Sequence, residues 1–388
     1  MEKPFWLACF THMFLETFLL IQIALIPTFV REFELSLLEA SLAVTIPMVV
    51  QLIMNIPSGM LAERFSMKHL LFASMVIEGV SALFLSQTRS FWALVLGVSV
   101  MRISSPIYHI SGLSRISMLT KREQLSRAMG FHNAFGNLGA AIGVVSLSVF
   151  LPTLGWRWIY LFWSLPILAW GFIVLRFPQL DTVRTEKTEE ELISRGSQLS
   201  AVFSKGFLIF LLVICFRAVG VAGANTFIPT YFVMERKLLE STASLIFGLG
   251  PFMGIAGSIV AGTLGDRVGA KKMLSLAILG SAFSLIVLSL LSDLYLLVPV
   301  FLILSFFDSL VWTPMNTLVV DMTPEVVRGL GFSVYFMIGG LISAISPIMA
   351  AKVIELSSIL YLFPFSAFLV FVGLVILQSL RFPKSARG

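Results

Sequence analysis

The chain alternates between long apolar stretches and short polar connections. Twelve stretches of roughly 18 or more mostly apolar residues are present, each long enough to cross a lipid bilayer as a helix. They cover residues 5–29, 38–58, 70–86, 91–112, 128–150, 158–177, 206–230, 242–262, 273–291, 295–315, 330–350 and 358–380. This pattern predicts an all-α membrane protein with twelve transmembrane helices.

The composition supports a membrane protein rather than a soluble domain. Of 388 residues, 57% are hydrophobic and only 12% are charged, against roughly 25% charged in soluble domains. The net charge of +6 comes mostly from short loops, so we expect contact with anionic lipid headgroups and not with nucleic acid. Cys9 and Cys215 fall inside apolar stretches, where thiols pack as ordinary hydrophobes. We therefore expect no disulfide, no metal site and no cofactor.

The distribution of lysine and arginine predicts the orientation. If the N-terminus is cytoplasmic, nineteen of the 27 basic residues lie in cytoplasmic segments and six on the opposite side. Cytoplasmic loops carry such an excess of basic residues. We therefore expect a multi-pass protein of the cell membrane with both termini in the cytoplasm. The two remaining basic residues, Arg102 and Arg217, lie within spans.

Two segments repeat once, about half a chain apart. The loop GMLAERFSMKH at 59–69 returns as GTLGDRVGAKK at 262–272, and RAMGFHNAFGNLG at 127–139 returns as RGLGFSVYFMIGG at 328–340. Such an internal repeat is typical of secondary transporters built from two related halves. We expect an N-terminal six-helix bundle at 1–177, a cytoplasmic linker at 178–205 and a C-terminal six-helix bundle at 206–388.

The repeated loop resembles the signature loop of the major facilitator superfamily, which joins the second and third helices of each half. The first copy has Glu63, Ser66 and His69 where the family pattern has Asp, Gly and Lys. The resemblance implies two pseudo-symmetric six-helix bundles around a central cavity. It also implies a conformational latch formed by the loop residues, which are Gly59, Glu63, Arg64, Gly262, Asp266 and Arg267.

Five charged residues fall inside the apolar stretches, namely Glu16, Glu78, Arg102, Arg217 and Asp308. Each costs roughly 2.5–3.5 kcal/mol at the bilayer centre. Glu16 and Arg102 lie equally deep in the first and fourth spans, and Arg217 and Asp308 are similarly placed in the seventh and tenth. These depths predict two acid–base pairs. The pairs either face a wet cavity or act as structural ion pairs between helices.

Three acids against two bases leave one carboxyl in excess, and a buried carboxyl without a base favours its neutral form. We therefore predict a proton carrier among Glu16 and Asp308 first, then Glu78 and His12. His12 and His109 lie on the same helical faces as Glu16 and Arg102. They form either a polar track to the cytoplasm or polar helix ends. His132 is interpreted as a polar helix end.

The expected function is proton-coupled efflux of small, drug-like or organic molecules by alternating access, and not catalysis. Residues 108–143 resemble the fosmidomycin-resistance-like efflux branch, with Ile110 where that branch often has Pro. One alternative is import of an organic anion bound by Arg102 and Arg217. The other is a sensor that transports nothing. We expect a monomer with small-molecule substrate, protons and lipid as partners. The candidate cavity residues are Arg102, Arg217, Gln22, Tyr108, Asn133, Asn137, Asn225, Trp312, Asn316 and Tyr335.

Overall fold

The computed structural model describes residues 3–109, 125–177, 204–323 and 328–380, and within these ranges every regular element is a helix. Twelve helical segments are long and apolar enough to cross a membrane, which confirms the predicted all-α, twelve-span membrane protein. The spans are Pro4–Ala24, Leu37–Leu61, Met67–Leu85, Phe91–His109, Gly130–Thr153, Arg157–Val174, Lys205–Glu235, Glu240–Gly265, Ala270–Leu290, Leu294–Met322, Gly331–Leu356 and Ile359–Ser379.

The spans are assembled from sixteen described helices. In chain order these are α1 (Lys3–Glu16), α2 (Ile21–Ala24), α3 (Ile26–Glu32), α4 (Leu37–Arg64), α5 (Met67–Leu85), α6 (Phe91–Met101), α7 (104–109), α8 (Leu125–Thr153), α9 (Arg157–Val174), α10 (Lys205–Thr230), α11 (Glu240–Val268), α12 (Ala270–Leu290), α13 (Leu294–Leu310), α14 (Trp312–Met322), α15 (Arg328–Leu356) and α16 (Ile359–Ser379). A π-helical turn, Tyr231–Glu235, extends α10.

Three spans are interrupted inside the membrane. The first breaks over residues 17–20, where backbone bonds such as Leu19 N–H to Glu16 C=O, 3.0 Å, reach only three residues back. The fourth breaks at Arg102, between α6 and α7. The tenth breaks at Val311, between α13 and α14. Each break disturbs the regular i to i−4 ladder and leaves carbonyl groups that need other partners.

Glycines let α1 and α8 approach with their backbones in contact. A Cβ atom placed on Gly139 would overlap the backbone of Met13, and one on Gly143 would overlap the backbone of Thr17. Small residues at such crossings are how membrane helices pack closely without a hydrophobic driving force. Gly139 and Gly143 therefore fix the distance between the first and fifth spans.

The repeated loops differ in backbone conformation, which explains one departure of the first copy from the family pattern. Gly269, just before α12, has a φ of +88°, a value that L-residues rarely adopt. The equivalent Ser66, just before α5, has a φ of −67°. Glycine is therefore required in the second copy and dispensable in the first.

The described residues form two compact units. Unit 1 comprises Met1–Glu186 and Phe227–Phe252, and unit 2 comprises Lys187–Thr226 and Met253–Gly388. The end of the seventh span and the start of the eighth thus group with the first half of the chain. The expected borders around 178–205 remain a prediction, because residues 178–203 lie outside the described ranges.

The glycine contact gives a testable prediction. Replacing Gly143 by Leu would force α1 and α8 apart, because the side chain has no space against the Thr17 backbone. Overpacking of this kind costs about 1–3 kcal/mol or more. We expect a clear fall in the thermal unfolding temperature of the detergent-purified protein. Gly130→Leu, at a position with open space around it, is the matched control, and equal loss in both variants would contradict the packing argument.

Candidate functional site

Unit 2 contains a partly buried ion pair beside the break in the tenth span. The Arg217 guanidinium on α10 contacts the Asp308 carboxylate on α13, and its Nη2 also donates to the Asp308 backbone carbonyl at 3.5 Å. Asn225 Nδ2 donates to the other carboxylate oxygen at 3.3 Å. The Arg217 side chain is 10% exposed and the Asp308 side chain 25%. This confirms the acid–base pair predicted for the seventh and tenth spans.

Aromatic residues border this pair. The guanidinium carbon of Arg217 lies 5.8 Å from the centre of the Trp312 ring, within cation–π range. Tyr335 on α15 is close enough to interact electrostatically with Arg217. Its hydroxyl is buried, and neither it nor the buried Asn316 Oδ1 has a hydrogen-bond partner among the described residues. The pair thus lies within electrostatic range of a buried tyrosine hydroxyl that has no hydrogen-bond partner among the described residues.

Unit 1 contains a carboxylate held by two imidazoles. Glu16 Oε1, at the end of α1, lies 3.3 Å from His12 Nε2 and 3.2 Å from His109 Nε2. The Glu16 and His12 side chains are 11% and 8% exposed, whereas the His109 side chain is 33% exposed. His109 is therefore the most exposed member of this group, which we call the Glu16 cluster (His12, Glu16 and His109).

The His12 ring is fixed from the other side. Its Nδ1 lies 2.9 Å from the His132 backbone carbonyl, which can only accept, so Nδ1 carries a hydrogen. The His12 and His132 rings are stacked at 4.0 Å and 8°. Gly136 makes room for this arrangement, since a Cβ there would collide with the His12 ring. The orientation of His12 thus depends on α8.

A second chain of hydrogen bonds orients His132. Tyr108 Oη donates to the Ala8 carbonyl at 2.6 Å and lies 2.9 Å from His132 Nε2. Because a phenol has one proton and the carbonyl takes it, His132 Nε2–H donates to Tyr108 Oη. His132 is only 1% exposed. His132 is therefore a buried, hydrogen-bonded ring and not the polar helix end that the sequence predicted.

Arg102 does not form the predicted ion pair with Glu16. Its Nη2 donates to the Leu19 carbonyl at 2.7 Å, at the break in the first span. Within the described ranges, no carboxylate oxygen lies within 4.0 Å of its guanidinium. The prediction failed because the break in the first span offers Arg102 a carbonyl, while Glu16 already has His12 and His109. Arg102 still lies close enough to Glu16 and Glu78 for the charges to interact.

A small polar cavity lies between these groups. It is lined by Glu16, Glu78, Arg102, Ser104 and Ser105, together with apolar side chains, and has a volume of about 10 Å³. That is about the smallest volume that accommodates one water molecule. Glu78 is 3% exposed, and its carboxylate contacts Ser104 Oγ. The three charged residues predicted for the spans of unit 1 therefore line one cavity.

Gln22 and Tyr160 are buried beside Arg102 with unused polar atoms. Both amide atoms of Gln22 and the Tyr160 hydroxyl lack hydrogen-bond partners among the described residues. Tyr160 is close enough to interact with both Gln22 and Arg102, but without hydrogen-bonding geometry to Gln22. Buried polar groups without partners are rare in folded proteins and require an explanation. Here Gln22 Nε2 and Tyr160 Oη are two possible donors without a partner among the described residues.

Other candidates lie apart from these clusters or outside the described residues. Gly59 and Arg64 lie in the last turns of α4, and Arg267 lies near the end of α11. The side chains of Glu63 and Asp266, and the surroundings of Gly262, lie outside the described part of the chain. The latch they were expected to form therefore stays a prediction.

A polar network joins the end of the first span to the start of the eighth. Glu240 accepts from Thr28 Oγ1 at 2.7 Å and pairs with Arg31 at 2.5 Å. Nearby, Glu32 pairs with Arg157 at 2.5 Å. A cavity of about 420 Å³ adjoins these residues. Sequence reasoning missed this network, since its charged members lie at helix ends, where charges are ordinary.

The Glu16 cluster also has the spacing of side-chain atoms that could hold a metal ion. Its three ligand atoms lie within 4.8 Å of one another, and imidazole with carboxylate is a common donor set. A single proton shared between these acceptors satisfies the same contacts. The sequence-based expectation of no metal stays a prediction.

Comparison with known proteins identifies the family. A sequence model described as the Major Facilitator Superfamily matches residues 5–261 and 238–387. The nitrite extrusion protein of Bacillus subtilis is 24% identical over 69% of this chain and 66% of its own length, just under two thirds. The probable nitrate transporter NarT of Staphylococcus carnosus is 24% identical over 86% of this chain and 84% of its own.

Two further similarities span nearly the whole chain. The fosmidomycin resistance protein of Escherichia coli is 21% identical over 91% of this chain and 86% of its own. The crystal structure of a bacterial homolog of the human lysosomal transporter Spinster, inward-facing and unoccupied, covers 97% of this chain and 96% of its own. It superposes with a TM-score of 0.76 at 14% identity, a similarity of fold.

The buried ion pair of unit 2 gives a prediction. Asp308→Asn leaves the Arg217 charge in place without a counter-charge, and breaking a fully buried pair costs about 3–5 kcal/mol. We expect a smaller but clear loss of thermal stability, because the Asp308 side chain is 25% exposed. Lys352→Gln, which breaks an exposed pair with Glu355, should cost about 0–1 kcal/mol. Equal effects would show that burial does not set the strength of the Arg217–Asp308 pair.

Proposed function

Because this chain belongs to the major facilitator superfamily and is an integral membrane transporter rather than an enzyme, we propose that it couples movement of a small solute to protons. The Glu16 cluster holds the coupling proton. The proposal extends to both termini being cytoplasmic and to the monomer as the working unit. The lipid environment, the efflux direction and drug resistance stay predictions.

The observation that carries this proposal is that hydrogen-bond acceptors face each other in the cluster. His12 Nδ1 carries a hydrogen, because it donates to the His132 carbonyl. In neutral His12, Nε2 therefore bears a lone pair directed at Glu16 Oε1, 3.3 Å away. Two lone pairs at this distance repel unless a proton lies between them. The cluster is thus stable when it holds one additional proton.

The surroundings limit the cluster to about one such proton and connect it to solvent. His12 and His132 are stacked at 4.0 Å, where two imidazolium charges would repel. His109, the exposed member, gives protons access to Glu16. Protonation from one side and release after a conformational change would couple the proton to transport.

The second acid named from the sequence, Asp308, has a different role in this scheme. It is held by Arg217 and Asn225, which favours its charged form. We assign the Arg217–Asp308 pair to substrate binding and conformational change, together with Trp312, rather than to proton storage. Tyr335 and Asn316 are proposed to contribute hydrogen bonds to the substrate.

A small anion, rather than a drug-like molecule, is the substrate class that the geometry favours. Arg102 has no carboxylate within ion-pair distance in the described ranges, and the unused polar atoms of Gln22 and Tyr160 lie nearby. Relatives named for nitrite and nitrate transport anions by name. The names include both extrusion and transport, so direction needs its own measurement.

Two latches complete the scheme. The signature loops, with Glu63 and Asp266, are proposed to stabilise one conformation at one membrane face. The contacts of Glu240 with Thr28 and Arg31 are proposed to stabilise another, since they tie the first span to the eighth. Alternating access requires such contacts to form and break in turn.

Proton coupling is tested in proteoliposomes with an imposed pH gradient and labelled nitrate or nitrite as probes. Glu16→Gln should abolish gradient-driven flux and retain probe exchange at equal pH, because the amide cannot take up the coupling proton. Glu355→Gln, in an exposed ion pair, is the control. If probe flux in Glu16→Gln still depends fully on the proton gradient, the proposal is wrong. Flux that requires a divalent metal instead of the gradient would also contradict it.

The same vesicles test the anion and the direction. Arg102→Gln removes a charge-assisted interaction worth about 1.5–3 kcal/mol, so the probe KM should rise about tenfold or more. Arg102→Lys should keep part of the affinity, and Arg89→Gln, at an exposed position, should leave the KM unchanged.

Accumulation of the probe in the direction of proton flow indicates symport, and accumulation in the opposite direction indicates antiport. A protein that moves neither probe nor any screened solute would fit the sensor alternative.

A further inference from the structure

Glu78 is a second buried acid that the Glu16 cluster does not include. It lies in the middle of α5 with 3% of its surface exposed. Its carboxylate contacts Ser104 on α7, and no basic atom lies within ion-pair distance in the described ranges. An isolated carboxylate in such a place is strongly disfavoured. A structural role alone would be served better by an uncharged residue.

The hydrogen-bond arrangement at Ser104 indicates where a proton lies. Ser104 Oγ is 2.6 Å from the Met101 carbonyl, a group that the break in the fourth span leaves available. Ser104 Oγ is placed to donate to both the Glu78 carboxylate and the Met101 carbonyl, but a serine hydroxyl has only one hydrogen. An ionised Glu78 therefore leaves one of the two contacts without a hydrogen. A protonated, neutral Glu78 carboxyl supplies the second hydrogen and satisfies both contacts.

The groups around Glu78 contain one fixed positive charge for two acids. The titratable or polar side chains that face it from the packed helices are Arg102, Ser104, Glu16 and Tyr160. Arg102 interacts with both acids. A single guanidinium compensates one carboxylate, so one proton for the two acids leaves the region neutral. Glu16 and Glu78 also line the same cavity of about 10 Å³.

We propose that Glu78 is the second proton-binding site of the transport cycle and exchanges one proton with Glu16 through this cavity. The inference rests on the proposed function of the Glu16 cluster. The proton enters at His109 and passes to Glu16. When Glu78 is ionised, an O–H bond breaks on Glu16 and forms on Glu78, with one water molecule relaying the proton. The neutral Glu78 described above is the state after this step. The Glu16 carboxylate that remains is compensated by Arg102, His12 and His109.

The storage step is tested by infrared difference spectroscopy of the full chain in proteoliposomes, titrated with acid and base without solute. A protonated carboxyl gives a C=O stretching band that shifts in D2O. We expect Glu78→Gln to lose one such band that is present in the wild type at neutral pH. Ser104→Ala should keep the band but shift its frequency, because the hydrogen bond is lost and the carboxyl remains. Glu355→Gln should leave it unchanged.

The outcomes separate this inference from the function it rests on. Survival of the neutral-pH band in Glu78→Gln would show that Glu78 stores no proton. An unchanged band frequency in Ser104→Ala would show the same. Either result would contradict this inference without contradicting proton coupling at Glu16. If Glu16→Gln keeps gradient-driven flux, the proposed function itself falls. In Glu78→Gln we also expect probe exchange to persist and gradient-driven flux to be lost. Unchanged gradient-driven flux in Glu78→Gln would contradict the relay even if the band disappears. If Glu78→Gln does not fold, Ser104→Ala still tests the inference.

Discussion

A buried arginine that donates to a backbone carbonyl at a helix break recurs in both units of this protein. In unit 1, Arg102 donates to the Leu19 carbonyl where the first span is interrupted. In unit 2, Arg217 contacts the Asp308 carbonyl next to the break in the tenth span. A lipid-embedded carbonyl without a partner costs several kcal/mol, and an unpartnered guanidinium costs at least as much. In unit 1, Arg102 and the break at residues 17–20 therefore supply each other with a hydrogen-bond partner, whereas in unit 2 the 3.5 Å carbonyl contact adds to the Arg217–Asp308 ion pair.

These breaks occur where the two units hold their ionisable groups. Interrupted helices near the membrane midplane are typical of ligand and ion sites in secondary transporters, because they expose backbone groups there. In this chain the breaks also supply Met101, whose carbonyl orients Ser104. In unit 1 the acid lies in the first span and the base in the fourth. In unit 2 the base lies in the seventh span and the acid in the tenth. In unit 1 the acid Glu16 contacts histidines, whereas in unit 2 the acid Asp308 contacts the base Arg217 directly.

The Glu16 cluster in turn depends on close helix packing. Gly139 and Gly143 bring α8 against α1, and Gly136 accommodates the His12 ring. This places the His132 carbonyl within 2.9 Å of His12 Nδ1 and so decides which ring nitrogen faces Glu16. A proton-binding arrangement thus depends on residues that carry no charge. Small side chains on one helix set the electrostatics of the next.

The sequence by itself determined the twelve spans, the duplicated loop and the depth of each intramembrane charge. Hydrophobic length and a rise of about 1.5 Å per residue fix these quantities one helix at a time. Depth alone predicted the Arg217–Asp308 pair, yet it failed for Glu16 and Arg102. Only the tertiary structure decided those partners, because they depend on helix rotation, on the break at residues 17–20 and on the glycine contact with α8. His109 and His132 joined the site for the same reason: neighbouring helices, and not their own sequence context, place them beside Glu16 and His12.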